Sequence, residues 1–250
     1  MIITKPTVHL IGKQVVDDAE LGRFLDSHDV GQWQTDTEIG GEKLVEVAGR
    51  VCYMSFAKPR PGGNKAYVDH ILEVGHGSVL EHAVFSLLIT GVSRSLTHEF
   101  VRHRHISPSQ LSQRFVDESG CGFVAPPAIL KDAHAMTLFQ GAMVDALASY
   151  EVFAEYLETI STEPDKTARR KQVREAARSV LPNATETKIF MTGNARAWRH
   201  FIEMRGSIHA DAEIQRLAVA VLDKLRYAAP NLFGDYVVQD GAIETQFKKV

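Results

Sequence analysis

The sequence predicts an α+β protein in which helices flank a modest antiparallel or mixed sheet, and three observations carry that prediction. Apolar residues recur at helical spacing over long stretches such as 136–160 and 212–229, whereas the runs that read as strands are short and few. The regular strand–helix alternation of a doubly wound fold is missing. No repeat, low-complexity tract or shift in composition divides the 250 residues, so a single domain over 1–250 is expected.

Thr7-Val-His-Leu-Ile11 reads as a short strand, followed by a polar, glycine-bearing stretch to Gly41 to which the pattern assigns no element. Leu44, Val47, Ala48 and Val51 fall at i, i+3, i+4 and i+7, which predicts a helix, and Lys58-Pro-Arg-Pro-Gly-Gly63 is too rich in breakers to continue it. Tyr67, Ile71 and Val74 mark a second amphipathic segment ending at Gly75. Ser78-Val-Leu-Glu81 has the form of a capping box opening another helical turn. Ala83–Val92 reads as a largely buried strand, and Ser93 as the cap of a helix running through Leu96, Phe100 and Val101 into Arg102-His103-Arg104, with Pro108 barring simple continuation. Helices follow at 136–160 and at 168–181, the latter stopped at Leu181-Pro182. A short strand is expected at 188–192, a helix at 196–204 and another at 212–229, stopped by Pro230.

A 44% hydrophobic and 24% charged composition excludes disorder, and the balance of 28 basic against 31 acidic residues gives a net charge of −3, which argues against a surface built for a polyanion. Cys52 and Cys121 are too few for a disulfide framework and suit a reducing cytoplasm. No basic leader with a long apolar run opens the sequence, and no stretch reaches about 18 uninterrupted apolar residues, so a cytoplasmic protein with no membrane association is expected.

Nucleotide signatures of known mechanism are missing: no glycine-rich loop ends in Lys-Ser or Lys-Thr, and Gly75-His-Gly77-Ser-Val-Leu80 lacks a third glycine. His98-Glu99 followed by His103 has the composition of a zinc-protease helix, but five residues turn a helix by about 500° and leave the histidines roughly 140° apart. No metal site is expected. The densest polar cluster is 102–114, with three arginines, two histidines, three serines and two glutamines. Guanidinium groups bind phosphate through paired hydrogen bonds, and Gln or Ser reads the edge of a base. Composition alone leaves such a ligand-binding loop level with a solvated basic turn. A second basic run holds Lys166, Arg169, Arg170, Lys171, Arg174 and Arg178 against Glu175, and a solvated face is the usual meaning of such a run. The arginines are not interleaved with aromatics, so a non-enzymatic nucleotide or nucleic-acid binding protein is the weaker alternative.

Arg102-His103-Arg104, seven further residues and then Ser112 form a pattern that resembles the signature of the flavin-dependent thymidylate synthases. Gly75-His76-Gly-Ser78-Val-Leu-Glu81-His82 upstream, the segment from Arg169 to Thr187, and Gly193-Asn194-Ala-Arg196 through Arg205 resemble the same family, in the same order. The resemblance spans roughly 44–235. It implies a ThyX-like fold, a homotetramer with active sites shared between subunits, and reductive methylation of dUMP to dTMP. Methylenetetrahydrofolate would give the carbon, FADH2 the hydride, and NADPH would reload the flavin, with tetrahydrofolate released.

Carried over by match, Glu99, Arg102, Gln110, Leu111, Ser112, Gln113 and Arg114 would bind dUMP, together with Lys171 and Arg178 on the basic run. His76, Ser78, Glu81, Arg102, His103, Arg104, Gln110, Asn194, Arg196, His200 and His209 would bind FAD. Arg205 would be catalytic, polarising the uracil carbonyl to favour ionisation at N3. Arg196 and His200 lie at i and i+4 on one helical face, and Arg205 and His209 share that spacing. Phe115 stands where the family often has Tyr, so a hydroxyl contact from that position is missing. Ser112 has no evident base beside it and is assigned to binding.

Overall fold

The structure is a computed structural model that describes residues 1–30, 32–58 and 60–248. Its chain separates by internal contacts into two units, one of Met1–Thr7, Ile89–Arg102 and Ser109–Phe190, the other of Val8–Leu88, His103–Pro108 and Met191–Val250. The main sheet runs in the order β2 (Thr7–Lys13), β3 (Val84–Ser93), β6 (Glu186–Asn194), β4 (Ile106–Gln110). The expected strands at 7–11, 83–92 and 188–192 are its first three members. β4 is a correction, since Pro108 lies inside a strand rather than merely ending a helix. An edge position tolerates a residue that donates no N–H.

In the first unit, β1 (Ile2–Ile3) pairs in parallel with β5 (Phe123–Val124). Ser93 accepts the Leu96 N–H at 3.0 Å and starts α4 (Arg94–Phe100), as its hydroxyl predicts. α5 (Ala133–Ile160) and α6 (Lys166–Ala177) form a helical hairpin, each started by an aspartate that accepts an N–H three residues on, Asp132 from Ala135 and Asp165 from Ala168, both at 2.7 Å. Within α5 only Met143 and Tyr150 are buried, while Leu138, Val144, Val152, Phe153, Tyr156 and Ile160 are exposed.

The second unit holds α1 (Asp18–Ser27), α2 (Gly40–Val51), α3 (Gly63–Glu73), α7 (Ala195–Arg205), α8 (Ala212–Ala228) and the short α9 (Pro230–Phe233). α1 falls in the stretch left unassigned above. Of the breaker loop at 58–63, Pro59 lies outside the described residues. α3 stops where expected because Gly75 adopts φ +72°, a conformation that costs a side-chain-bearing residue energy. The core is built from fully buried Val45, Val68, Phe85, Leu87, Trp198, Phe201, Leu217 and Val221. A final hairpin, β7 (Val237–Gln239) and β8 (Ala242–Glu244), is antiparallel. Among the described residues no helix is long and apolar enough to cross a membrane.

Candidate active site

In the second unit, the predicted side chains gather around α7. Asn194 caps the helix, its Oδ1 accepting the Ala197 N–H at 2.8 Å. The next N–H, of Ala195, donates to Ala83 O at 2.7 Å and fixes the helix start beside the 3-10 turn Gly77–His82. Arg196 Nη1 therefore reaches Glu81 Oε1 at 2.6 Å across 115 residues of sequence. Both partners are nearly half exposed, so the pair contributes at most about 1 kcal/mol and opens readily to a competing anion. His200, one turn on, lines a cavity of about 660 Å³ with His209, Glu203, Ser207 and Thr245. His76, Ser78 and Arg104 are exposed. The exposed guanidinium of Arg196 and the two imidazoles on the cavity suit an anionic, ring-bearing ligand.

At the far end of α7, Arg205 donates its Nε–H to His103 Nε2 at 3.0 Å. His103 is buried, its ring edge-on to Phe201 at 5.2 Å and 6.0 Å from the His200 ring. Burial, then the Arg205 and His200 charges, push its pKa down to about 4. The imidazole is therefore neutral at pH 7, and a lone pair on Nε2 puts its proton on Nδ1.

The first unit holds the other group. Gln110 at the end of β4 donates from Nε2 to Thr97 Oγ1 at 3.0 Å and to Thr187 Oγ1 at 3.3 Å, which fixes its amide. Leu111 donates its N–H to Lys188 O at 2.9 Å, and Ser112 Oγ accepts the Arg114 N–H at 3.4 Å. Gln113 is 5% exposed and its Nε2 has no hydrogen-bond partner among the described residues. A buried donor of that kind calls for an acceptor. The loop is tied to α6 by Arg114 Nε with Glu175 Oε2 at 2.8 Å, by Arg174 Nη1 donating to Phe115 O at 2.6 Å, and by the Lys171 ammonium 5.5 Å from the Phe115 ring centroid. Arg94 has its pKa lowered by burial and then by the nearby Arg178 charge, with Glu118 opposing. The two guanidinium groups are close enough to repel, and Glu118 offsets part of that charge. Glu99 on α4 is half-buried and Arg102, just beyond that helix, exposed.

The profile of the family described as "Thymidylate synthase complementing protein" matches residues 35–231. The chain belongs to that family. It is 55% identical over 207 residues to a protein of Mycobacteroides abscessus, covering 82% of each chain, and 53% identical over 210 residues to one of Mycolicibacterium gilvum, covering 83% of this chain and 84% of the relative. A Mycobacterium avium protein is 51% identical over 218 residues, 86% of both. All three are named "Flavin-dependent thymidylate synthase".

Every residue that the resemblance to the flavin-dependent thymidylate synthases selected falls inside the matched span 35–231, but several local readings change. Ser78 caps nothing; the turn opens after His76, which makes no side-chain cap bond. α4 ends at Phe100, so the helical angle computed between His98 and His103 does not apply; among the described residues no three His, Cys, Asp or Glu side chains are grouped to hold a metal. α7 ends at Arg205, so helical spacing does not relate it to His209, which instead reaches the cavity from the following turn. The arginine-rich loop, poor in acids locally, receives Glu175 and, through Arg174, Asp117. Arg169 is held by Glu163 O at 2.9 Å and is structural. Sequence reasoning missed Arg94 and Glu118, whose neighbours lie far along the chain.

Proposed function

We propose that this chain is a flavin-dependent thymidylate synthase that converts dUMP to dTMP, a reading carried by identity above 50% to proteins of that name over more than four fifths of both chains. FAD, when bound and reduced, supplies the hydride that turns the transferred carbon into a methyl group. Methylenetetrahydrofolate provides that carbon, tetrahydrofolate leaves, and NADPH restores the reduced flavin. The donor set around α7 fits such a cofactor: Arg196 faces its phosphates once released from Glu81, while His200 and His209 flank its rings from the cavity wall, with His76, Ser78 and Asn194 near the same helix start and the exposed Arg104 following His103 in sequence.

Arg178, with Arg94 beside it, holds the dUMP phosphate, and Lys171 adds charge from the same helical run. Gln110, Ser112, Gln113 and Arg114 orient the nucleotide, assisted by Glu99, Arg102 and the Leu111 backbone. Arg205 donates to the uracil carbonyl, favouring loss of the N3 proton. Electron density then rises at C5, the carbon that must attack, and a fixed cation stabilises the charge that develops. A thiol adduct at C6 has no support here: burial and the Glu118 charge push the Cys121 thiol up to about 11, and Cys52 Sγ donates to Ala48 O at 3.4 Å. The pairing of Arg114 and Arg174 with acids also disfavours a polyanion-binding face.

The chain acts as one catalytic domain in a cytoplasmic homotetramer with shared sites, a state supported by the exposed apolar side chains along α5. The decisive experiment is a single turnover of prereduced enzyme with dUMP and methylenetetrahydrofolate. Tetrahydrofolate and dTMP should appear as the flavin is oxidised. Stoichiometric dihydrofolate with the flavin still reduced overturns the proposal.

A further inference from the structure

The loop of the first unit that carries Ser112, Gln113 and Arg114 is fastened at both ends. At its start, Thr97 and Thr187 fix the Gln110 amide, and the Leu111 N–H donates to Lys188 O. At its exit the fastening comes from α5. The Tyr150 hydroxyl accepts the Glu118 N–H at 3.3 Å and donates to Asp117 Oδ1 at 3.4 Å. Asp117 Oδ2 in turn faces Arg174 Nη2 at 3.5 Å, and Nη1 of the same guanidinium donates to Phe115 O at 2.6 Å. Tyr150 is 1% exposed, and a hydroxyl buried so deeply is costly unless its hydrogen bonds are made. Both of these bonds go to the loop.

We propose that Tyr150 is a positioning residue for the nucleotide: through Glu118 and Asp117 it fixes the exit of the loop, and with it the side chains that meet the base. This rests on the reading of the loop as the dUMP site. Phe115 and Val116 both donate their N–H groups to Ser112 O, at 3.1 and 3.0 Å, so residues 112–116 form one turn and a displacement at the exit carries back to Ser112 and Gln113. The Nε2 of buried Gln113 must meet a ligand acceptor within a few tenths of an ångström, which makes it sensitive to such a displacement. Arg178, assigned to the phosphate, follows α6 and is not part of this turn. The direction of the Tyr150 bond is set by its partners. Burial raises the pKa of the phenol, which stays protonated, and the Ser119 N–H lowers that of Asp117, which stays ionised.

Two ligands separate this role from a general loosening of the unit. dUMP and deoxyribose 5-phosphate, which keeps sugar and phosphate but has no base, are each titrated by calorimetry into the oxidised, FAD-loaded protein. Tyr150→Phe keeps the ring and should weaken dUMP about tenfold, while the sugar phosphate stays within about twofold. Asp117→Ala, at an exposed position, should weaken dUMP about fivefold with the core intact. Asp117→Asn retains an acceptor oxygen for Tyr150 and should stay within about twofold of the parent. Equal losses for the two ligands mean that Tyr150 supports the fold alone, and the positioning role is overturned. So is it by unchanged dUMP affinity in Tyr150→Phe, or by an asparagine variant as weak as the alanine one. Should Tyr150→Phe fail to fold, the two Asp117 variants decide by the same criteria. A parent protein that binds FAD but not dUMP overturns the nucleotide reading itself, and the role of Tyr150 goes with it.

Discussion

Lowering the pH perturbs His103 in a way whose size follows from its surroundings. An unfolded chain holds a histidine near the ordinary value of 6.5, and the folded protein holds His103 at about 4. Below pH 6.5 the unfolded state therefore takes up a proton that the native state refuses. The folded form bears no penalty above about 6.5, loses stability progressively as the pH falls, and stops losing it near pH 4, where the native imidazole also protonates. At pH 5 the proton affinities differ enough to cost about 2 kcal/mol, against less than about 0.1 kcal/mol at pH 7.5. All other groups titrate alike in wild type and in His103→Gln, so the difference between the two isolates this residue. Urea unfolding of the FAD-loaded protein, followed through the emission of buried Trp198, measures it. The wild type should lose about 2 kcal/mol more than the variant between pH 7.5 and 5. Parallel losses would mean that His103 accepts a proton freely in the fold, and the argument for a neutral acceptor would fail.

Arg178→Ala should weaken dUMP binding on the order of ten- to 150-fold, the loss of one charge-assisted contact, as measured by calorimetry; an effect under threefold would remove Arg178 from the phosphate site. Asp235→Ala leaves the fully buried Arg199, now paired through Nη1 and Nη2 at 2.7 and 2.8 Å, without its counter-charge, and should cost roughly 3–5 kcal/mol in urea unfolding. Cys52→Ser and Cys121→Ser, singly or together, should keep most dTMP synthesis; loss of turnover in folded protein would restore a thiol to the mechanism.

Long periodic segments and their stops were legible because each is a local property: Pro230 after α8, Gly75 after α3, Ser93 before α4. α1 carried a local signal as well, since Asp17 Oδ1 accepts the Glu20 N–H at 3.0 Å, but its helix has a single buried side chain, Leu25, and a correspondingly weak apolar stripe. β4 was hidden because Pro108 argues against a strand until the sheet order shows it at an edge. The site residues were legible as motifs and illegible as geometry. That Arg94 crowds Arg178, that Glu175 faces Arg114, and that His103 accepts from Arg205 depend on tertiary neighbours 61 to 102 residues apart, and no spacing rule reaches so far.

The C-terminal hairpin lies beyond residue 231, where the family match ends, yet it is fastened to the residue after Arg205: Ile243 donates its N–H to Gly206 O at 2.9 Å. A side chain at 206 would meet Ile243 Cβ at 2.6 Å, so only glycine allows the approach. Thr245 closes on Asp235, the partner of Arg199, and the hairpin supplies one wall of the cavity bearing His200 and His209. A fragment cut after residue 240 would keep every motif side chain while losing this clasp. Such a protein would pass any inventory of signature residues and still present Arg205 loosely, which makes the integrity of the tail, more than the presence of the motif, the criterion for judging shortened relatives.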